Sequence, residues 1–188
     1  MEKCEQLGSD YIGTIAAVAD EYLKRGFAVV LLPNATREGV AGTRNNDLPV
    51  LQSIAAQVAG EASNLLLIDR DLNTASLRRI MAFGDFLVAS RFHAMIAGLG
   101  LGIPTLVLGW GHKYRELLTQ FDCADMAIDF SEIEFAPLVE RIDDLIARAE
   151  ELSTKISRRQ AEVLASSSRQ FDWLTEFIQS RDNYCTDE

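Results

Sequence analysis

Two hydrophobic periods exchange along this chain: stretches with apolar residues three and four apart, and short apolar runs rich in branched side chains bounded by turn formers. The first predicts amphipathic helices and the second buried strands. Tyr11, Ile12, Ile15, Ala16, Val18, Ala19, Tyr22 and Leu23 make one helical face, capped by Ser9 or Asp10 and stopped at Gly26. Phe27 to Leu32 reads as a strand ended by Pro33-Asn34. A polar loop over residues 35 to 46 follows, and then a helix opened by Asp47 and Pro49. Leu65 to Ile68 is the next strand, and Thr74 caps a helix through Met81. Phe86 to Ala89 is a strand running directly into Ser90-Arg91-Phe92-His93, where another helix begins and continues to Leu101. Gly102 stops it. Pro104 to Leu108 is a further strand, leading to Gly109-Trp110-Gly111-His112-Lys113 and a short helix over roughly 114 to 121. From Phe135 the pattern is helical almost to the end, with Leu138, Ile142, Leu145 and Ile146 on one face and Trp173, Leu174, Phe177 and Ile178 on a later one.

Near-continuous apolar strands joined by helices imply an α/β fold, a doubly wound parallel sheet covered on both faces, with a long C-terminal helical segment. Ligands of such sheets bind beyond the C-terminal ends of the strands, so residues 33–46, 69–73, 90–93 and 109–113 are the segments to inspect. A sheet of this type ordinarily opens with a strand, whereas this chain opens with a helix. The expectation is therefore a fragment lacking the first strand.

Composition narrows the classes. In 188 residues, 48% hydrophobic and 24% charged, there is material for one buried core. No apolar run approaches the ~20 residues of a membrane-spanning helix, and the N-terminus lacks the apolar core of a secretory signal. Cys4, Cys123 and Cys185 are odd in number and widely spaced, which suggests neither a disulfide framework nor zinc and fits a reducing, cytoplasmic setting. The formal charge of −10 argues against a nucleic-acid partner. That charge is uneven: residues 1–110 hold 9 basic and 11 acidic side chains, and residues 111–188 hold 9 and 17. The body is nearly neutral and the acidity sits in the C-terminal part.

Candidate chemistry concentrates at the strand ends. Ser90 stands where it can cap the helix, leaving first-turn backbone N–H groups that favour an anion. Arg91 adds a planar fork for carboxylate or phosphate, and His93 a proton donor or acceptor. The plain alternative is a solvated arginine at a helix start and a satisfied interior histidine. In the second loop, Lys113 supplies a point charge, Gly109 lets backbone approach a ligand, and His112 is a candidate ligand or base; Asn34 completes the set from the first loop. Trp110 more often anchors such a loop by packing. Gly98-Leu-Gly-Leu-Gly has the wrong spacing for a dinucleotide loop and ends a helix, so it reads as close helix packing before a stop. Two distant histidines without a carboxylate cluster give no metal site, and no cofactor is expected.

The segment Asp71-Leu-Asn-Thr-Ala-Ser-Leu-Arg-Arg-Ile-Met-Ala-Phe-Gly-Asp-Phe-Leu-Val-Ala-Ser-Arg-Phe-His-Ala, followed by Gly102-Ile-Pro-Thr-Leu-Val-Leu and then a lysine, resembles the C-terminal domain of the polysaccharide pyruvyl transferase family. The likeness covers roughly residues 10 to 130. It implies half of a two-domain fold similar to B-type glycosyltransferases, and transfer of a pyruvyl group from phosphoenolpyruvate to a sugar of a cell-surface polymer. It implies that Arg91 and His93 serve donor binding and catalysis and that Lys113 holds phosphate. On this resemblance residues 1–134 form a Rossmann-like donor-binding domain, and residues 135–188 a helical extension packed on it. Its implied partners are an anionic donor, a saccharide acceptor and an N-terminal domain that this chain does not contain. Two alternatives stay open: a domain that binds a nucleotide-sugar at the same helix terminus, and a non-catalytic module that pairs with a second copy through an exposed sheet edge.

Overall fold

A computed structural model describes residues 10–36, 46–60, 62–109, 111–129 and 132–185. Within them the elements run α1 (Tyr11–Lys24), β1 (Val29–Leu31), α2 (Leu48–Gln57), β2 (Leu65–Leu67), α3 (Thr74–Met81), β3 (Leu87–Ala89), α4 (Phe92–Gly100), β4 (Thr105–Gly109), α5 (His112–Gln120), β5 (Ala127–Asp129), α6 (Phe135–Ala147) and α7 (Ala149–Cys185). The fold is mixed α/β, and among the described residues all strand pairing is parallel. Most of the loop over 35–46, Ser9, Cys4 and Trp110 lie outside the described residues.

Local chemistry sets the element ends. Asp10 caps α1, its carboxylate accepting from the Gly13 N–H at 2.9 Å, and Gly26 leaves the helix at φ +89°, a conformation that costs a residue without Cβ little. The cap of α3 is Asn73, which accepts from the Ser76 N–H at 2.9 Å, one residue before the expected Thr74. The amide oxygen of Asn73 reaches the first turn, and Thr74 becomes the first helical residue. Ser90 likewise does not cap α4. The cap position falls on Arg91, whose extended backbone (φ −109°, ψ 134°) carries no side-chain cap bond.

The expected single sheet is divided. β1 pairs with β2, Val29 opposite Leu65, and separately β3-β4-β5 form a ladder with Leu87 opposite Thr105 and Val107 opposite Ala127. Among the described residues β1 and β3 share no ladder. Side chains join them instead: Tyr22, Phe27 and Phe86 meet edge-on, with centroids 5.5 to 6.3 Å apart, just ahead of the two strands. Strand β5 is an addition to the sequence reading, and α5 begins two residues earlier than expected.

The main core surrounds β4, all five of whose residues are buried. Met95 and Leu99 of α4, Leu118 of α5, Leu138, Ile142 and Leu145 of α6, and Leu152 and Ile156 of α7 close around it. The helices after Phe135 thus complete the same core as the strands. Ala16, Leu31 and Ile54 form a smaller second core between β1 and helices α1 and α2. Gly98 belongs to close helix packing, as expected: a Cβ there would lie 2.5 Å from Thr105 Oγ1.

Candidate functional site

Parallel pairing brings the loops after β1 and β2 together, and likewise those after β3 and β4, and side chains lace the two sets to each other. After β1, Thr36 donates its hydroxyl to Asp71, which lies after β2. The Asn34 and Ala35 N–H groups donate to Asp47 Oδ2 at 3.1 and 3.0 Å. The other oxygen of Asp47 accepts from Arg91 Nε at 2.8 Å and from Nη2, tying the first loop to the one after β3. After β4, the Lys113 ammonium lies 4.7 Å over the Phe92 ring and 5.6 Å over the Tyr114 ring. Tyr114 in turn donates its hydroxyl to the Ser90 carbonyl at 3.5 Å, and its ring meets that of Phe92 edge-on.

The expected residues are therefore placed as follows. Arg91 is half-buried and engaged by Asp47. Lys113 is exposed and stands over the first residue of α4. His93 and His112 are exposed at the starts of α4 and α5, and neither is hydrogen-bonded among the described residues. Asn34 contributes its backbone to Asp47. Ser90 contributes a carbonyl rather than a cap. Gly109 is buried, and an added Cβ would come within 3.3 Å of Tyr114, so its smallness serves the seating of that ring.

Three participants were not singled out from sequence. Asp47 was read only as a helix opener. Its carboxylate turns away from its own helix, because two loop N–H groups and a guanidinium offer it stronger partners than the first turn of α2 does. Phe92 and Tyr114 carry no role in the sequence reading, although the aromatic beside Lys113 is a cue for a cation held over a ring. Burial pushes the Tyr114 phenol up, against the opposing pull of Arg91 and the Phe92 N–H, so the ring presents a neutral hydroxyl to the site.

Chemically, these laced loops offer a guanidinium, an ammonium, an exposed imidazole and the uncapped N-terminus of α4. That is a set for a small, multiply charged anion. Among the described residues no group of three or more histidine, cysteine or acidic side chains could hold a metal ion, and no helix is long and apolar enough to cross a membrane. The shallow groove between α1 and α6, lined by Glu21, Glu140 and Asp143 among others, is acidic. It includes Arg25, which precedes β1, and so lies toward the opposite ends of the strands.

No curated protein and no solved structure matches this chain. The family model for polysaccharide pyruvyl transferase matches residues 2–112. The matched span includes β1 to β4, Asp47, Arg91 and His93, and ends one residue before Lys113. Because it covers more than half of the 188 residues, this chain belongs to the polysaccharide pyruvyl transferase family, whose members are transferases of polysaccharide biosynthesis.

Proposed function

We propose that this chain is the donor-binding part of a cytoplasmic transferase that takes phosphoenolpyruvate and delivers its pyruvyl group to a saccharide held by a further domain. The observation that carries the reading is that Arg91 holds the cap position of α4 while the Lys113 ammonium lies over Phe92, the first residue of that helix, inside or beside the family match. Phosphoenolpyruvate carries a carboxylate and a phosphate on three carbons, which suits a site with a cation at the cap of α4 and another beside its first residue. The parallel strands on either side of the β1–β3 junction support a Rossmann-like, B-type glycosyltransferase-like half in which that junction is the binding crevice.

In the reaction, two sugar hydroxyl oxygens bond to C2 and the bond from C2 to the phosphate oxygen breaks. One hydroxyl proton ends on the vinyl carbon and the other on the departing phosphate. His93, exposed in the first turn of α4, is the group that passes a proton. Arg91 holds the carboxylate, and Lys113 follows the charge that builds on the phosphate. Phosphoenolpyruvate is expected to raise the melting temperature of the chain, whereas a nucleoside diphosphate is not. The reverse result identifies a nucleotide-sugar site, and no shift with either overturns the donor role. In the full enzyme Arg91→Ala and His93→Ala should each lower pyruvyl transfer at least tenfold; unchanged rates would remove them from the mechanism.

A further inference from the structure

The Asp47–Arg91 contact holds more information than an ion pair. A guanidinium has five N–H donors in a fixed plane and two usable edges: a side edge made by Nε and one terminal nitrogen, and an end edge made by the two terminal nitrogens. Asp47 takes the side edge through Nε and Nη2. Among the described residues nothing else engages Arg91, so Nη1 and the second hydrogen of Nη2 stay free. The end edge is thus the one left for a planar, bidentate anion.

The anchor itself is well fixed. The Asp47 side chain is only 15% exposed, against 40% for that of Arg91. Its Oδ2 is held by two backbone N–H groups from the loop after β1, and its own N–H donates to the Ala35 carbonyl at 2.8 Å. An aspartate held by two hydrogen bonds at its carboxylate and one at its backbone leaves its fourth partner little freedom. The partner also lies across the line where β1 and β3 share no backbone ladder. Asp47 therefore carries positional information from the β1 loop to a side chain that begins after β3.

We infer that Asp47 is a positioning residue, which fixes the Arg91 guanidinium by its side edge so that its end edge faces the carboxylate of the donor. This rests on the donor reading above and deepens it. A simpler electrostatic role predicts the opposite sign. Asp47 cancels part of the charge of Arg91, so if charge alone mattered, its removal would strengthen anion binding. If orientation governs, removing or displacing the carboxylate weakens it, because the long arginine side chain must then be ordered by the ligand itself.

Two substitutions separate these cases. Asp47→Asn keeps the size and removes the charge, while Asp47→Glu keeps the charge and moves the carboxylate by one methylene. Affinity for phosphoenolpyruvate is measured by calorimetry on the wild-type chain, on both variants, and on each variant combined with Arg91→Ala, with melting temperatures recorded alongside. Orientation predicts that both single variants bind at least tenfold more weakly. It also predicts that neither changes affinity by more than twofold once Arg91 is alanine. Tighter binding by Asp47→Asn with unchanged binding by Asp47→Glu overturns the inference in favour of charge alone. Equal losses with and without Arg91 overturn it in favour of general support of the loop.

A measurement without substitution covers variants that fail to fold. In nitrogen-15 spectra of the ligand-free wild-type chain, the Arg91 Nε–H should exchange slowly and keep its position when phosphoenolpyruvate is added. A fast-exchanging Nε–H sinks the inference. If the wild type ignores phosphoenolpyruvate but binds inorganic phosphate with the same pattern of losses, the donor reading fails and the positioning role stands. If it binds neither, both fall.

Discussion

Gly98 shows how tightly single residues are specified here. It sits in α4 facing β3 and β4, where a Cβ would meet Thr105 Oγ1 at 2.5 Å and Leu87 Cδ2 at 2.8 Å. Thr105 is itself buried, its hydroxyl donating to the Ile103 carbonyl at 2.8 Å, so it has no room to retreat. Gly98→Val should overpack this contact and destabilise the chain by about 1–3 kcal/mol. The equivalent change at Gly100, where an added Cβ would meet only the flexible end of Arg78, is the comparison in denaturant titration; equal effects at both sites would mean that the α4–β4 contact is looser than described. The glycine cluster was legible as close packing because its spacing excluded a dinucleotide loop. Arg91, His93 and Lys113 were legible as candidates because strand ends are marked by the switch from apolar runs to polar residues. Asp47 was not, since its meaning lies in a partner 44 positions away, and no local pattern encodes such a pairing.

At the scale of elements, α7 is two kinds of helix in one. Its first turns bury Leu152 and Ile156 almost completely, and Ser153 and Gln160 tie it to carbonyls at the end of α4 at 2.8 Å each. Farther along, Phe171 and Trp173 are 68% and 65% exposed, and Trp173 stacks on Phe177 within the helix. Leu152→Ala should therefore cost about 2–5 kcal/mol, as large-to-small changes in a packed core do, while Phe171→Ala should change stability by less than about 0.5 kcal/mol. Similar effects in thermal melts would show that the far half of α7 is covered in solution. The sequence pattern predicts helix here and the face of Trp173, Leu174, Phe177 and Ile178, but not the face of Leu152 and Ile156, and periodicity measures only that a face exists. Whether a neighbour reaches it is a question of chain path. Strand β5 escaped for a related reason: three residues ending in an aspartate are too few to show a period, and they become a strand because β4 offers them a ladder.

Over the whole molecule, α1 is tied to α6 by a polar node. The Tyr22 hydroxyl donates to Asp143 at 2.9 Å and lies 3.2 Å from the Val139 carbonyl, and Arg25 pairs with the same Asp143 oxygen at 2.7 Å. Burial first, and then Asp143, raise the Tyr22 phenol well above its usual value of about 10. A proton held more tightly in the folded state adds stability that is complete below the unfolded value and is lost as pH rises above it. The melting temperature should thus decline as pH rises above about 10, and Tyr22→Phe should flatten part of that decline; an unchanged slope would release Tyr22 from the node. Strand existence and parallel pairing were legible from the apolar runs, but the split between β1-β2 and β3-β4-β5 was not, because ladder partners are chosen across long stretches of chain. That split has a mechanical consequence. Displacing one sheet along the other breaks no backbone hydrogen bond among the described residues, but it slides three aromatic rings past one another, strains the Asp47–Arg91 tether and pulls on the Tyr22–Asp143 node. The candidate anion grip is thus fastened across a boundary that side chains, and no strand ladder among the described residues, hold together.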